Sequence, residues 1–256
     1  MMGSVTIFRS SPRKNGNTNA LADVVAGELT ERGVSLRQFD LCEMTIRPCT
    51  ACRQCQQDWS TISCPRWDGQ WSMPAYADEA IRSEAEIQSE AAAQPEAASQ
   101  TCEMIQPEAA AQTGEMIQPE AAAQPVVFAD DMPRIFEAVA ASELLILATP
   151  VYSWYCTPPM KAMLDRLVYA ENMYYGGERG PSLWAGRKVA LITTCGYPPE
   201  KGADLLEEGI RRYCRHSQLR YEGMLCARHL GYDIPFMNEE RERQARQFAE
   251  TLIANL

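Results

Sequence analysis

This 256-residue chain has no long apolar run, and none of its apolar stretches could span a bilayer as a helix. Its first residues also lack the basic-then-apolar layout of a secretion signal, because a short apolar, strand-like stretch begins at Val5. We therefore predict a cytoplasmic protein with no membrane partner.

Several familiar catalytic motifs are absent as well. The sequence contains no G-x-G-x-x-G dinucleotide fingerprint, no Walker phosphate loop and no G-x-S-x-G nucleophile elbow. It has only two histidines, His216 and His229, and both fall near the ends of predicted elements, where solvated or structural roles are expected.

Excess positive charge is also missing, since 24 basic residues face 34 acidic ones and the net charge is −10. Residues 65–127 contain eleven acidic and two basic residues, which accounts for nearly all of that charge. The rest of the chain is close to neutral, and this argues against a nucleic-acid-binding surface.

The acidic stretch 65–127 also differs in kind from its surroundings. Residues 95–106 recur almost unchanged as residues 107–118, and a third copy begins at Pro119. Proline at every twelfth position breaks any helix, and large apolar residues are too few for a separate core. We interpret residues 65–127 as a surface insertion of short helices or disorder within a single domain spanning residues 1–256.

The remaining sequence alternates between strand-like and helix-like stretches. The expected strands are residues 5–8, 34–41, 143–149, 188–193 and 219–225, and the expected helices lie between and after them. This pattern predicts an α/β protein with a doubly wound, five-stranded parallel sheet of order 2-1-3-4-5. In such a sheet, ligands bind beyond the carboxyl ends of strands 1, 3 and 4.

Those three strand ends carry unusual loops. Residues 10–18 follow strand 1 and offer Ser11, Arg13, Asn17 and Thr18 as donors to a phosphate at a helix N-terminus. The alternative is an ordinary turn in which Asn17 or Thr18 only caps the helix. The other two ends are aromatic-rich (residues 150–155) and glycine-containing (residues 194–198), so a phosphorylated, flat ligand would use all three.

These residues also carry a family resemblance. Residues 11–18, Ser-Pro-Arg-Lys-Asn-Gly-Asn-Thr, resemble the phosphate loop of the flavodoxin-like NAD(P)H-dependent FMN reductases. The resemblance is greatest to the iron–sulfur flavoproteins and continues at Cys49-x-x-Cys52-x-x-Cys55, Asp130-Asp131-Met132, Ala148-Thr149-Pro150-Val151-Tyr152, Lys161 and Asp165-Arg166. We interpret Asp165-Arg166 as an internal ion pair that positions its helix.

The resemblance implies a flavodoxin-like fold and an FMN cofactor. The FMN phosphate would contact Ser11, Arg13, Asn17 and Thr18. Its ring would lie against one set of residues after strand 3 and another after strand 4: Pro150, Val151, Tyr152, Ser153, Thr194, Cys195 and Gly196. Ser10 replaces the usual glycine before the loop, and its Cβ is expected to narrow the approach to the phosphate without abolishing it. No side chain is expected to act as an acid or base, because the hydride chemistry belongs to the cofactor.

Ten cysteines are many for a chain of this length, and four of them cluster in the loop spanning residues 49–64. Cys49, Cys52, Cys55 and Cys64 resemble the ligand set of a [4Fe–4S] cluster, although relatives have a shorter last gap. A zinc site, a dithiol pair and free thiols are the alternatives, and zinc fits this spacing poorly.

The predicted function is that of an FMN-dependent oxidoreductase. It would take hydride from NAD(P)H and pass electrons to a ferredoxin, a quinone or a small molecule, with the cluster as a possible relay. The alternative is a non-enzymatic flavin and iron–sulfur electron carrier that exchanges electrons with a ferredoxin-like partner. The resemblance also implies a homodimer or homotetramer.

Overall fold

Five parallel strands form the central sheet of the computed structural model, which describes residues 3–56, 61–63, 70–72, 130–172, 180–229, 231 and 234–256. The strands are β1 (Ser4–Arg9), β2 (Ser35–Asp40), β5 (Leu144–Pro150), β6 (Lys188–Cys195) and β7 (Arg220–Arg228). Their order is β2-β1-β5-β6-β7, which is 2-1-3-4-5 when these strands are counted along the chain. The predicted fold class is therefore confirmed as flavodoxin-like.

A second, two-stranded antiparallel sheet joins β3 (Thr61–Ser63) to β4 (Gln70–Ser72). β3 precedes the expected insertion and β4 lies inside it, so the start of residues 65–127 contains a strand where short helices or disorder were expected. The rest of residues 65–127, including the twelve-residue repeat, lies outside the described residues.

Six helices cover the two faces of the main sheet in the described part of the chain. They are α1 (Asn17–Glu31), α2 (Met132–Ala140), α3 (Pro158–Glu171), α4 (Pro199–Gly202), α5 (Asp204–His216) and α6 (Glu239–Ala254). The sequence predicts a helix over about residues 202–216, and α5 matches it to within two residues; the short α4 precedes it as a separate turn. Within the described residues, no helix combines the length and apolar character needed to cross a membrane.

Each face of the sheet has its own apolar core. Because successive side chains of a strand point to opposite faces, alternate residues of one strand belong to different cores. Leu145 and Leu147 of β5 pack in the core beneath α2, α3 and α5, whereas Leu144 and Ile146 pack with α1 and α6. All seven residues of β5 are buried, as expected for a central parallel strand. Burying an aliphatic side chain of this size stabilises the fold by about 1.5–3 kcal/mol.

The interpretation of Asp165-Arg166 as an ion pair is wrong. Arg166 instead pairs with Asp130 at the start of α2, and both side chains are almost fully buried. Asp165 pairs with Lys161 on the exposed face of α3. Neighbours in sequence point to different sides of a helix, so Arg166 faces the protein interior while Asp165 faces solvent.

Candidate functional site

A cleft of about 350 Å³ opens where the loops after β1, β5, β6 and β7 meet. The described residues that line it are Arg13, Asn17, Pro150, Val151, Tyr152, Thr194, Cys195, Gly196, His229 and Gly231. All but the last two of these were predicted as cofactor-binding residues. The cleft therefore brings together the three strand ends that the sequence singles out.

The loop after β1 is tightly wound around one carbonyl group. The Arg13 carbonyl oxygen accepts hydrogen bonds from the Gly16 backbone N–H at 2.9 Å, the Ser11 hydroxyl at 3.2 Å and the Asn19 amide at 3.2 Å. A Cβ added to Gly16 would lie 2.7 Å from the Ser11 oxygen and 2.9 Å from the Arg13 carbonyl oxygen. Only glycine fits this position without a shift of the loop.

The N-terminus of α1 is open to an anion. Gly16 occupies the N-cap position, and no side chain caps the helix. The alternative in which Asn17 or Thr18 serves as the cap is therefore wrong. No acidic residue lies in the first turn of α1, so its exposed N–H groups and the helix dipole favour a negatively charged ligand.

Two of the predicted phosphate contacts, Ser11 and Thr18, do not line the cleft. Ser11 is 4% exposed, and its hydroxyl donates to the Arg13 carbonyl within the loop. Thr18 is 1% exposed, and its hydroxyl oxygen lies 2.6 Å from that of Thr194. In this structure both hydroxyls stabilise the walls of the cleft, while Arg13 and Asn17 face its interior.

Contrary to the expectation from the family resemblance, Ser10 does not narrow the cleft. Its side chain is fully buried, and its hydroxyl is directed to the Ala148 carbonyl oxygen at 3.5 Å. The backbone N–H of Ser10 donates to the same carbonyl at 2.9 Å. The Ser10 side chain is therefore buried beside β5, and Ser10 is not among the residues that line the cleft.

Threonine hydroxyls connect the strand ends beneath the cleft. Thr193 donates to the Thr149 carbonyl at 2.7 Å, which links β6 to β5. Thr157, at the start of α3, donates to the Ser10 carbonyl at 3.0 Å, which links α3 to β1. Together with the contact between Thr18 and Thr194, these bonds fix the loops relative to one another before any ligand arrives.

The loop after β5 makes a tight turn at Ser153 and Trp154. Tyr152 and Tyr155 exchange two backbone hydrogen bonds of 2.8 and 3.0 Å across it. Ser153 and Trp154 have φ angles of +49° and +63°, a pair of left-handed conformations that is unusual without glycine. Ser153 was predicted to contact the ring, but the turn leaves it outside the set of residues that line the cleft.

The loop after β7 supplies two lining residues that the sequence analysis missed, His229 and Gly231. The His229 backbone N–H donates to the Cys195 carbonyl at 3.0 Å, and its ring packs edge-on against Phe236. His229 had been assigned a solvated or structural role. His229 directly follows β7, the fifth strand of the main sheet. That position in the sequence could have identified it, because the carboxyl ends of parallel strands meet at one edge of the sheet.

The cleft has a neutral to positive lining. None of the described residues that line it is acidic, whereas Arg13 contributes a fixed positive charge. Burial raises the pKa of the Cys195 thiol, whose sulfur lies 3.7 Å from that of Cys226. Cys195 is therefore a neutral, polarisable wall at neutral pH. An apolar wall beside an anion-binding loop is suited to a flat ring with a phosphate tail.

The cysteine loop does not form a metal centre among the described residues. The Ala51 backbone N–H donates to the Cys49 sulfur at 3.3 Å. The loop is tightly turned here, since Ala51 and Arg53 have left-handed φ angles of +53° and +59°. No three metal-ligating side chains come together in the described part of the chain. Cys64, the fourth predicted ligand, lies outside it.

Comparison with known proteins gives one family match. The model of the family described as NADPH-dependent FMN reductase matches residues 82–207, just under half of the chain. The matched segment contains β5, α3 and β6 with their loops, but not the loop at residues 10–18. No curated protein sequence is significantly similar to the chain.

Solved structures resemble the chain in fold. RosB, solved with a bound 8-demethyl-8-formylriboflavin-5'-phosphate intermediate, has a TM-score of 0.54 at 12% identity, covering 98% of this chain and 79% of RosB. An FMN-dependent NADH-azoreductase from Bacillus anthracis has a TM-score of 0.51 at 8% identity, with 98% of each chain covered. An NAD(P)H:quinone oxidoreductase from Methanothermobacter marburgensis has a TM-score of 0.50 at 17% identity, with 98% of this chain and 95% of that chain covered.

At these identities the structural likeness concerns the fold, and the family match adds the class of chemistry. The chain has a flavodoxin-like fold and a sequence match to the NADPH-dependent FMN reductase family, which together support an NAD(P)H-dependent flavin oxidoreductase.

Proposed function

We propose that this protein binds FMN in the cleft after β1, β5 and β6, takes hydride from NAD(P)H and passes electrons to an acceptor. One observation carries the proposal: the cleft joins an uncapped helix N-terminus and Arg13 to an apolar wall formed by Pro150 and Val151. An anion-binding end and a flat apolar end in one cleft match the two ends of FMN.

Each part of the cleft has a physical task. Arg13 and Asn17 would hold the phosphate, with the α1 dipole adding to the attraction. Pro150, Val151 and Tyr152 would lie along one side of the ring system, and Thr194, Cys195 and Gly196 along the other. Bound FMN supplies the hydride and electron chemistry, and the protein binds it, orients it and shields it from water.

Ser11 and Thr18 belong to the proposal in a different role. We expect them to hold the phosphate loop and the end of β6 in place. The Ser11 hydroxyl could also turn toward a phosphate, because the Arg13 carbonyl would keep its two other donors, the Gly16 N–H and the Asn19 amide. Ser153 would act by shaping the turn that presents Tyr152.

The test of the proposal is the purified protein itself. We expect a flavin absorbance spectrum, FMN as the flavin released on denaturation, and steady oxidation of NADH or NADPH when ferricyanide is the acceptor. A protein that neither carries nor takes up FMN refutes the proposal. FMN binding with nicotinamide oxidation at the background rate leaves the electron carrier as the correct function.

A variant pair tests the phosphate end of the cleft. Arg13→Ala should raise the Kd for FMN about 10- to 100-fold, because a charge-assisted hydrogen bond contributes about 1.5–3 kcal/mol. Riboflavin has no phosphate, so its affinity should change little. Lys14→Ala is the matched control, since Lys14 lies next to Arg13 but pairs with Glu43 outside the cleft.

The iron–sulfur cluster and the oligomeric state are further parts of the proposal. The N–H to sulfur bond at Cys49 would favour a metal-bound thiolate, and the [4Fe–4S] assignment depends on Cys64 joining Cys49, Cys52 and Cys55. Iron and sulfide analysis of anaerobically purified protein decides its presence, and sedimentation decides between monomer, homodimer and homotetramer.

A further inference from the structure

Two cysteines from neighbouring strands lie side by side at the wall of the cleft, and we call them the thiol pair. Cys195 is the last residue of β6 and lines the cleft, while Cys226 belongs to β7 at the edge of the sheet. Their sulfur atoms are 3.7 Å apart. Because the sulfurs of a disulfide are about 2 Å apart, they need to approach by only about 1.7 Å to form one.

The register of the two strands fixes the direction of that approach. Cys226 pairs with Thr193, which lies two residues before Cys195 on β6. Side chains two residues apart on a strand point to the same face, so Cys195 and Cys226 are diagonal neighbours on one face of the sheet. A bond between diagonal positions draws the end of β6 toward β7 and away from β5, its neighbour on the other side. Closure of the thiol pair therefore moves the wall of the cleft.

The two thiol protons have different acceptors. The Cys195 thiol donates to the Tyr197 carbonyl oxygen at 3.1 Å, across a turn centred on Gly196. Since the Cys195 proton is used there, the proton between the two sulfurs is that of Cys226. A disulfide has no thiol proton, so oxidation removes the donor to Tyr197. The turn that contains Gly196, a residue lining the cleft, then loses a hydrogen bond that holds it.

The two sulfurs differ in their access to solvent. Cys195 is 7% exposed, and α4 covers it so closely that a Cβ on Gly202 would lie 3.3 Å from its sulfur. Cys226 is partly exposed, so a reagent from solvent reaches it first. Burial raises the pKa of both thiols, although the charge of Arg228 acts in the opposite direction at Cys195. Little thiolate is present at neutral pH, and thiol exchange at this pair is therefore slow.

We propose that the thiol pair is a redox-sensitive site that closes to a disulfide by exchange with a low-molecular-weight disulfide, and that closure weakens the binding of FMN. The effect on FMN rests on the proposed function, whereas closure itself does not. The Cys226 thiolate attacks the small disulfide, RSSR, and forms a mixed disulfide with release of one RSH. The Cys195 thiolate then attacks the Cys226 sulfur and releases the second RSH. The two cysteines thus lose two electrons and two protons, which the small disulfide gains.

The experiment equilibrates the wild type with oxidised glutathione, blocks the remaining thiols and digests the protein with trypsin. The tryptic peptides 189–201 and 221–228, which contain the two cysteines, should be recovered joined to each other. In the same samples the Kd for FMN, from flavin fluorescence, should rise about 3- to 10-fold, the effect of one lost hydrogen bond, and return with dithiothreitol.

Two variants separate this pair from the other cysteines. Cys226→Ser keeps a hydroxyl that can donate to the Cys195 sulfur, so it should bind FMN like the reduced wild type and show no response to oxidised glutathione. Cys42→Ser is the matched control, because Cys42 is exposed and is not among the residues that line the cleft. It should respond like the wild type.

Three outcomes would overturn the inference. The first is a wild type in which the two peptides are never joined, with glutathione retained on Cys226. The second is joined peptides with an FMN Kd within twofold of the reduced value. The third is an equal loss of FMN affinity in oxidised Cys226→Ser. A reduced wild type that takes up no FMN refutes the proposed function and the effect on FMN with it, and the joined peptides still decide whether the pair closes.

Discussion

Glu171, the last residue of α3, should make the stability of the protein depend on pH. Its side chain is fully buried, and both carboxylate oxygens lack a hydrogen-bond partner among the described residues. Burial raises the pKa of the Glu171 carboxyl from 4.5 to about 8, although the positive charge of Arg187 acts in the opposite direction. In the folded state the carboxyl is therefore protonated at neutral pH.

The sign of the effect follows from which state holds the proton more tightly. Below about pH 4.5 the carboxyl is protonated in both states and contributes no pH dependence. As the pH rises from there to about 8, the unfolded chain loses the proton first, so the folded state loses stability relative to it. At about 1.4 kcal/mol per pH unit, the loss between about pH 5 and about pH 7.5 amounts to about 3 kcal/mol.

Glu171→Gln removes this proton while keeping the size and shape of the side chain. Urea unfolding at a series of pH values, with equal free FMN in every sample, should show the wild type losing about 3 kcal/mol more than the variant over that range. Glu137→Gln is the matched control, because Glu137 is an exposed acid on α2. If the pH dependence of unfolding is the same in Glu171→Gln as in the wild type, Glu171 is not a buried neutral acid.

Three further predictions concern the cleft, the core and the insertion. Gly16→Ala should weaken FMN binding at least tenfold, measured by flavin fluorescence titration, because a Cβ would lie 2.7 Å from the Ser11 oxygen; unchanged affinity would show that the loop adapts. Asp130→Ala should lower the free energy of unfolding by about 3–5 kcal/mol, since it leaves the charge of Arg166 buried without its carboxylate; a loss under 1 kcal/mol would contradict this. Deletion of residues 75–125 should leave FMN binding intact, and loss of flavin would show that this segment contributes to the site.

The fold could be predicted from the sequence because buried strands and amphipathic helices leave different patterns of apolar residues. The run from Leu144 to Ala148 is apolar on both faces, as a central parallel strand covered on both sides requires. Alternation with amphipathic helices then leaves few topologies. The short helix α4 was not predicted, because four residues are too few to show a helical period.

The candidate site could be predicted at the level of strand ends but not of individual hydroxyls. Topology brings the loops after β1, β5 and β6 together, so Arg13, Asn17 and Pro150 line one cleft, as strand order alone leads one to expect. A hydroxyl, in contrast, bonds to whatever group lies within about 3 Å, and that neighbour is set by packing. Thr18 meets Thr194, a residue 176 positions away, which no local pattern indicates.

Two positions of the phosphate loop differ in whether they tolerate a Cβ: Ser10 carries one outside the cleft, whereas at Gly16 a Cβ would force the loop to shift. The missing glycine at Ser10 raised the question of access to the phosphate loop, yet the buried Ser10 side chain turns toward Ala148 and away from the cleft. The requirement for a residue without a Cβ falls instead on Gly16, where the loop closes on Ser11 and Arg13. Access of an anion to the α1 N-terminus thus depends on Gly16, and a residue with a side chain there would have to displace the Arg13 carbonyl that organises the loop.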